Sequence, residues 1–492
     1  MSPTSILSGG IPEAVERCRQ QQPAWAALPV SRRLRPVRAL RRLLVDNGER
    51  LAEAVARDMG KPAEEALAGE VLPLADALRF LERRAEQLLR PRRVPIRERP
   101  LWLWGQRDTV HRRPRGVVAI IGTWNYPIYL NGVQLAQALT AGNGVVWKPS
   151  EVAPASAAAL FALLEQAGFP AGLVQLLPAT RQAGQELLEA DIDHVVFTGS
   201  AATGRVIAET LGRRLVSSTL ELSGCDALFV LDDADVALAA RSAWFGATVN
   251  RGQTCIAVRR ALVHRSIYAP FTEILRSLAA KAAPVPLVLP AQVKQAERLV
   301  RDAAAGGARL LTAPSANNVS PDHCVPAVVL DARPEMAVWQ EASFAPLLAV
   351  MPFDTLEEAL ASETRCPYGL GAAIFTQSPA RAAELAGRLR TGMVTINDVV
   401  VPTAHPAVPF GGRAQSGWGV TQGAEGLLEM TVPQVVSVRR GRFRPHLDLA
   451  GSLGGRQVEL ARALLEFSHG ATLGRRCRGL LQLLRAAFRR GE

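Results

Sequence analysis

The chain of 492 residues is too long for one compact core, so two or three domains are expected, and a hydrophobic content of 48% is ample to fill them. Six scattered cysteines, showing neither a CxxC nor a His/Cys metal spacing, exclude a disulfide framework and a zinc site and fit a reducing compartment. The net charge of +12 would suggest a nucleic acid or an anionic surface, but only four of the 57 basic residues are lysine, no nucleic-acid-binding motif appears, and residues 439–492 hold twelve Arg against four acids, so most of the excess belongs to a tail.

The first residues lack a basic segment followed by an apolar one, and no run reaches the ~18 apolar residues of a membrane span, which makes the cytoplasm the expected address. Residues 11–90 carry apolar positions at helical spacing, with Val37, Leu40, Leu43 and Leu44 on one face, and predict a helical layer. The stretch "PRRVPIRERPLWLWGQRDTVHRRPRG" reads as extended strands on an exposed arm. At Gly116 the rhythm changes. "GVVAIIGTWNYP", "GVVWKPSE", "LVQLLPA" and "HVVFTGS" are short apolar runs, each followed by a helical pattern, which predicts a parallel, doubly wound sheet with its ligands at the carboxyl ends of the strands. Those ends read Thr123-Trp124-Asn125, Lys148-Pro149-Ser150-Glu151 and Thr198-Gly199-Ser200, polar where a ligand would lie. A second α/β region begins near Gly224 and runs to about residue 400, and "EMTVPQVVSVRR" reads as a late strand returning to the early arm.

Between these regions lies "NRGQTCIA". An isolated cysteine is ordinarily a small, quiet hydrophobe, but Gly252 and Gln253 suit a loop better than a core, and a reactive thiol needs partial access. The segments "GTWNYP", "WKPSE", "FTGSAATG", "LELSG", "NRGQTC", "SFAP", "IND" and "PFGGRAQSGWG" decide how Cys255 is read. In order and interval, over about residues 15 to 440, the chain resembles the aldehyde dehydrogenases, and most of all their short, class 3-like branch.

The resemblance implies an α/β fold of that family: a Rossmann-type doubly wound cofactor domain, a second α/β catalytic domain and a small β oligomerisation arm. It places the NAD(P)-binding domain and its helical layer at 1–90 and 116–223, the catalytic domain at 224–405, bridging strands at 91–115 and 406–440, and a basic amphipathic tail at 441–492. It implies oxidation of an aldehyde to a carboxylic acid through a thiohemiacetal and a thioester on Cys255, because a thiolate adduct expels hydride more readily than the free aldehyde does. Asn125 matches the amide that stabilises the oxyanion, and Glu221 matches the general base that activates water. Lys148 and Glu151 match the groups that hold the adenosine ribose, which favours NAD with NADP as the alternative, and Gly199 and Ser200 let the backbone approach the pyrophosphate. Thr123, Trp124, Ser150, Gly204, Leu222 and Phe344 complete the expected cofactor contacts. No metal is implied. A homodimer and a small-molecule aldehyde are the expected partners, without nucleic acid.

Three positions depart from the family pattern. Ala342 stands where a ribose-gripping Glu is usual, with Glu341 one residue early; Cys225 replaces a customary Lys; and Arg251 is a bulky cation beside the nucleophile. Arg251 has two readings, a cation acting on the thiol or on an acidic substrate, and a side chain in solvent. These departures motivate a rival, a divergent binding or structural protein of weak or absent activity; a charge-driven binder of anionic surfaces is a more distant one. In the tail, Leu480, Leu483, Leu484 and Phe488 fall on one helical face flanked by Arg475, Arg476, Arg478, Arg485, Arg489 and Arg490. The pattern fits a helix packed on protein about as well as peripheral contact with the inner membrane surface; the bracketing arginines favour the membrane.

Overall fold

The computed structural model describes residues 10–312, 320–441 and 456–488. They divide into two compact units, one of residues 1–90 and 112–432, the other of 91–111 and 433–492. The first unit contains two largely parallel sheets. β1 (Val117–Ile121), β2 (Gly144–Lys148), β3 (Val174–Leu176), β4 (His194–Gly199) and β5 (Ser217–Leu222) lie in the order β5-β4-β1-β2-β3, with the two-residue strand Gly417–Trp418 antiparallel at the β5 edge. β1, β2 and most of β4 are buried on both faces, as continuous apolar runs in a helix-covered parallel sheet must be. The order reverses between β1 and β4, which opens a crevice beyond their carboxyl ends.

The second sheet is formed by β6 (Asp226–Val230), β7 (Val258–His264), β8 (Arg309–Leu311), β9 (Ala327–Leu330), β10 (Leu347–Phe353), β11 (Gly371–Phe375) and β12 (Met393–Ile396), in the order β8-β9-β10-β7-β6-β11-β12. Only the edge strand β8 runs antiparallel to its neighbour. Helical starts are signalled locally: Ser200 caps Ala201–Arg214 by accepting from Thr203 N, and Pro154 opens Pro154–Gln166. The predicted helical layer is present as Ile11–Ala27, Val30–Asp46, Gly48–Met59 and Leu72–Leu88. Just before the last of these, the chain widens into a π turn at Leu67–Val71, a form common at functional sites.

In the second unit, Arg92–Arg93, Gln106–Pro114 and Thr431–Arg439 make a three-stranded sheet. The tail folds as two helices, Arg456–His469 and Leu473–Phe488, that meet closely at Gly479, where a Cβ would lie 2.6 Å from Ala463 O. Leu480, Leu481 and Leu484 remain exposed, with Arg475, Arg476, Arg478 and Arg485 around them. The side chain of Phe488, and Arg489 and Arg490, lie outside the described residues.

Candidate active site

The loop entering Cys255 turns through three consecutive left-handed residues, Asn250, Arg251 and Gly252, at φ 49°, 58° and 73°. Two of them carry a Cβ, at a cost of ~1–2 kcal/mol each, so the surroundings must hold them. Asn250 Nδ2 donates to Asn125 O and Gln253 O, both at 3.1 Å. The Arg251 guanidinium donates to Met59 O at 2.8 Å and to Gly60 O, the open carbonyls at the end of helix Gly48–Met59. Arg251 is therefore spent on a helix terminus. Buried Arg259 donates to Gly252 O and Ala345 O, and burial lowers its pKa to about 10. Gly252 is obligatory, since a Cβ there would sit 2.4 Å from the Ala345 carbonyl carbon.

Cys255 is partly buried on the wall of a cavity of about 330 Å³. Burial pushes its thiol pKa up, the nearby Glu221 and Asp226 carboxylates push it further, and the N–H groups of Ile256 and Cys255 pull it back. Glu221, near the carboxyl end of β5, is 3% exposed. Its Oε2 accepts from Thr421 Oγ1 at 3.4 Å, while Oε1 is buried with no partner. Burial raises this carboxyl to about 7, within the range of a working base.

Asn125 is fixed from both sides of its amide. Its Oδ1 accepts from Thr123 Oγ1 at 2.8 Å, and its Nδ2 donates to Gln253 O at 3.1 Å, which uses one of two N–H bonds. Its backbone carbonyl also accepts from Lys61 Nζ at 3.1 Å. Lys61 is paired at 2.8 Å with Glu70, both fully enclosed, and Glu70 Oε2 accepts from Ile128 N at 2.8 Å. The Lys61 ammonium also lies 4.2 Å from the Tyr126 ring centroid, and Tyr126 Oη meets Thr254 Oγ1 at 3.0 Å. One buried ion pair thus braces the segment carrying the amide and, through Tyr126, the residue before the nucleophile. Sequence reasoning singled out neither Lys61 nor Glu70, although Lys61 is one of only four lysines.

The other expected residues line the ends of the first sheet. Thr123 and Trp124 follow β1, and the Trp124 and Phe344 rings stand 6.0 Å apart. Lys148 ends β2 and pairs with Glu151, whose side chain is 41% exposed, and Ser150 lies buried between them. Gly199 ends β4, and Ser200 stands exposed at the helix N-terminus. Gly204 is pressed against Leu222, where a Cβ would come within 2.6 Å. A half-exposed acidic group, a helix N-terminus facing outward and a reversal of strand order between β1 and β4 suit a dinucleotide.

The departures have structural counterparts. Glu341 is turned outward to Arg298, and Gln295 Nε2 donates to Ala342 O at 3.3 Å, so the early carboxylate is engaged away from Trp124 and Phe344. Cys225 is 1% exposed, with its carbonyl accepting from Arg260 Nε and Nη2 at 2.9 and 2.7 Å, an arginine itself paired with Glu363 at 2.6 Å.

Residues 8–436 match the model of the aldehyde dehydrogenase family. The chain is 36% identical over 442 residues to the 4,4'-diapolycopene aldehyde oxidase of Methylomonas sp, covering 88% of this chain and 82% of that protein. It is 34% identical over 446 residues to the benzaldehyde dehydrogenase [NAD(+)] of Pseudomonas putida, covering 87% and 88%. Its fold superposes on the NAD+ complex of an aldehyde dehydrogenase from Bacillus cereus with a TM-score of 0.82 at 30% identity, covering 88% of this chain and 89% of that one. A cysteine on a cavity wall beside a raised carboxyl and a braced amide, in a chain matched over nearly its whole length, belongs to the aldehyde dehydrogenase family.

Proposed function

We propose that this protein oxidises an aldehyde to the carboxylic acid with NAD, or NADP as the alternative, and that Cys255 is the nucleophile. The observation that carries the assignment is that Cys255, on the cavity wall, lies near enough to feel the charge of Glu221, whose buried Oε1 has no partner. A thiol whose pKa is pushed up is protonated at rest, and a carboxylate poised near 7 is suited to take its proton. The thiolate sulfur then adds to the carbonyl carbon, and the resulting oxyanion accepts from the free N–H of Asn125 and from the Cys255 backbone N–H. When bound, the dinucleotide supplies the hydride acceptor. Thr123, Trp124, Lys148, Ser150, Glu151, Gly199, Ser200, Gly204, Leu222 and Phe344 are assigned to hold it. Loss of hydride from the adduct leaves a thioester on Cys255. Once Glu221 has passed the thiol proton to solvent, its carboxylate deprotonates water, the water oxygen attacks the thioester carbonyl, and the carbon–sulfur bond breaks to release the acid and the Cys255 thiolate.

The test is NADH formation from hexanal with mass analysis of the Cys255 peptide. Cys255→Ala abolishes turnover in a protein that still folds. Glu221→Gln gives one burst of NADH and an acyl adduct on that peptide. Full turnover by Cys255→Ala rejects the nucleophile, and unchanged turnover by Glu221→Gln without an adduct rejects the base.

The division of labour that fits this chemistry assigns 1–90 and 116–223 to the cofactor, 224–405 to the cysteine, and 91–115 with 406–440 to contact between two copies. Exposed Val432, Val435, Val436 and Val438 on one strand support a homodimer. Among the described residues no helix is long and apolar enough to cross a membrane. The exposed Leu480, Leu481 and Leu484 amid arginines support peripheral membrane contact by the tail. The full-length chain is expected to co-sediment with anionic liposomes at low salt, and a chain ending at Arg444 is not. Equal binding by both, or loss of the dimer on truncation, assigns the tail to protein packing.

A further inference from the structure

Resting on the dehydrogenase reading above, we propose that the cavity selects its aldehyde by charge: it takes apolar aldehydes and rejects those carrying a carboxylate, with Glu65 as the discriminating residue. Tyr129, Leu130, Phe245, Val249, Val401 and Phe410 supply most of the wall, and none of the residues that line the cavity is a lysine, arginine or histidine. A carboxylate entering this space leaves water for an apolar enclosure and finds no cation.

The polar side chains among the lining residues point the same way. Glu65 lines the cavity from the short helix Ala63–Ala66, and its Oε1 is buried without a hydrogen-bond partner. Gln422 and Tyr129 also line it, and Gln422 Oε1 and Tyr129 Oη are likewise buried without a partner. Two of these three atoms only accept, so the Tyr129 hydroxyl is the single donor among them. One neutral hydrogen bond is worth about a factor of five to ten in affinity, whereas an unpaired buried charge costs about a hundred- to a thousandfold. The balance stands against an anion even before repulsion by Glu65 is counted. For an apolar chain the same wall is favourable, at about fourfold in affinity per methylene buried.

Butanal and succinate semialdehyde have the same four-carbon chain and differ in a terminal methyl against a carboxylate, so their kcat/KM ratio isolates charge. The wild-type enzyme is expected to favour butanal by about a hundredfold or more, chiefly through KM, and kcat/KM is expected to rise from butanal to octanal. In Glu65→Gln the butanal to succinate semialdehyde ratio is expected to fall about tenfold. Comparable kcat/KM for the two four-carbon aldehydes in the wild-type enzyme overturns the inference and leaves the dehydrogenase reading intact. A ratio unmoved in a folded Glu65→Gln protein overturns the role of Glu65. Absence of NADH formation from butanal, octanal and benzaldehyde alike overturns both the inference and the reading on which it rests.

Discussion

Around the cysteine loop and Asn125, several charges are buried and engaged: Lys61 with Glu70 and the Asn125 carbonyl, Arg259 with the carbonyls of Gly252 and Ala345, Arg260 with Glu363 and Cys225. Around the crevice beyond β1, β2 and β4, the corresponding groups are partly open: Glu151 is 41% exposed, Ser200 faces outward, and Ala342 offers no polar side chain at all. The difference follows from what each region must do. Reacting atoms held to a fraction of an ångström repay the desolvation of a buried ion pair with geometry, whereas a ligand that enters and leaves on every turnover is better met by groups that water can reach. Buried charge here marks the fixed part of the site, and half-exposed charge marks the exchangeable part.

The comparison breaks most sharply at Lys61. Lys61→Met strands Glu70 in the interior, with an expected loss of ~3–5 kcal/mol of stability by denaturant titration and about a tenfold fall in kcat as Asn125 loosens. Lys61→Met/Glu70→Gln is expected to recover most of the stability while kcat stays low. Recovery of both would make the pair purely structural. A smaller effect is set by pH. Glu221 is raised to about 7 and must be ionised to act, so the thioester-cleavage rate is expected to rise through pH 7 and to drop about tenfold per unit below it. Single-turnover acyl-enzyme decay between pH 6 and 8 checks this, and a flat profile removes Glu221 from the step. The smallest effect belongs to the open side, where Ala342→Glu is expected to raise the single-turnover hydride-transfer rate only a few fold, since it adds one contact to a crevice that already has several. No change in that rate would mean that the missing carboxylate is not the weak point.

Much of the first sheet was legible because buried parallel strands write themselves as apolar runs. "VVAII", "GVVWK" and "HVVFTG" are β1, β2 and β4, and the polar residues at their ends mark the crevice. Cys255, Glu221 and Asn125 could be singled out because the short segments that carry them, "NRGQTC", "LELSG" and "GTWNYP", resemble those of the aldehyde dehydrogenases, and a short motif is local. The bracing charges are not local. Lys61 meets Glu70 in the π turn, and the two reach Asn125 O and Ile128 N more than fifty residues later, contacts that exist only once the helical layer docks on the sheet. Arg259 and Arg260 are adjacent in "VRRALVH", which by alternation should send one of them to solvent. The strand is central in its sheet, however, and both are buried. Arg251 shows the same limit, because its sequence readings were a cation acting on the thiol or on an acidic substrate and a side chain in solvent, and its place at the end of a distant helix belongs to the tertiary fold.

The contact between Gly252 and Ala345 has a thermodynamic corollary. The guanidinium of Arg259 holds one carbonyl on each segment, and the glycine leaves no space between them, so the loop bearing the nucleophile and the segment bearing Phe344 form one mechanical body. Displacement of either is displacement of both. A molecule that stacks at Phe344 and shifts that segment therefore changes the equilibrium for acylating the thiol, and by reciprocity an acyl group on the thiol changes affinity at Phe344 by the same factor.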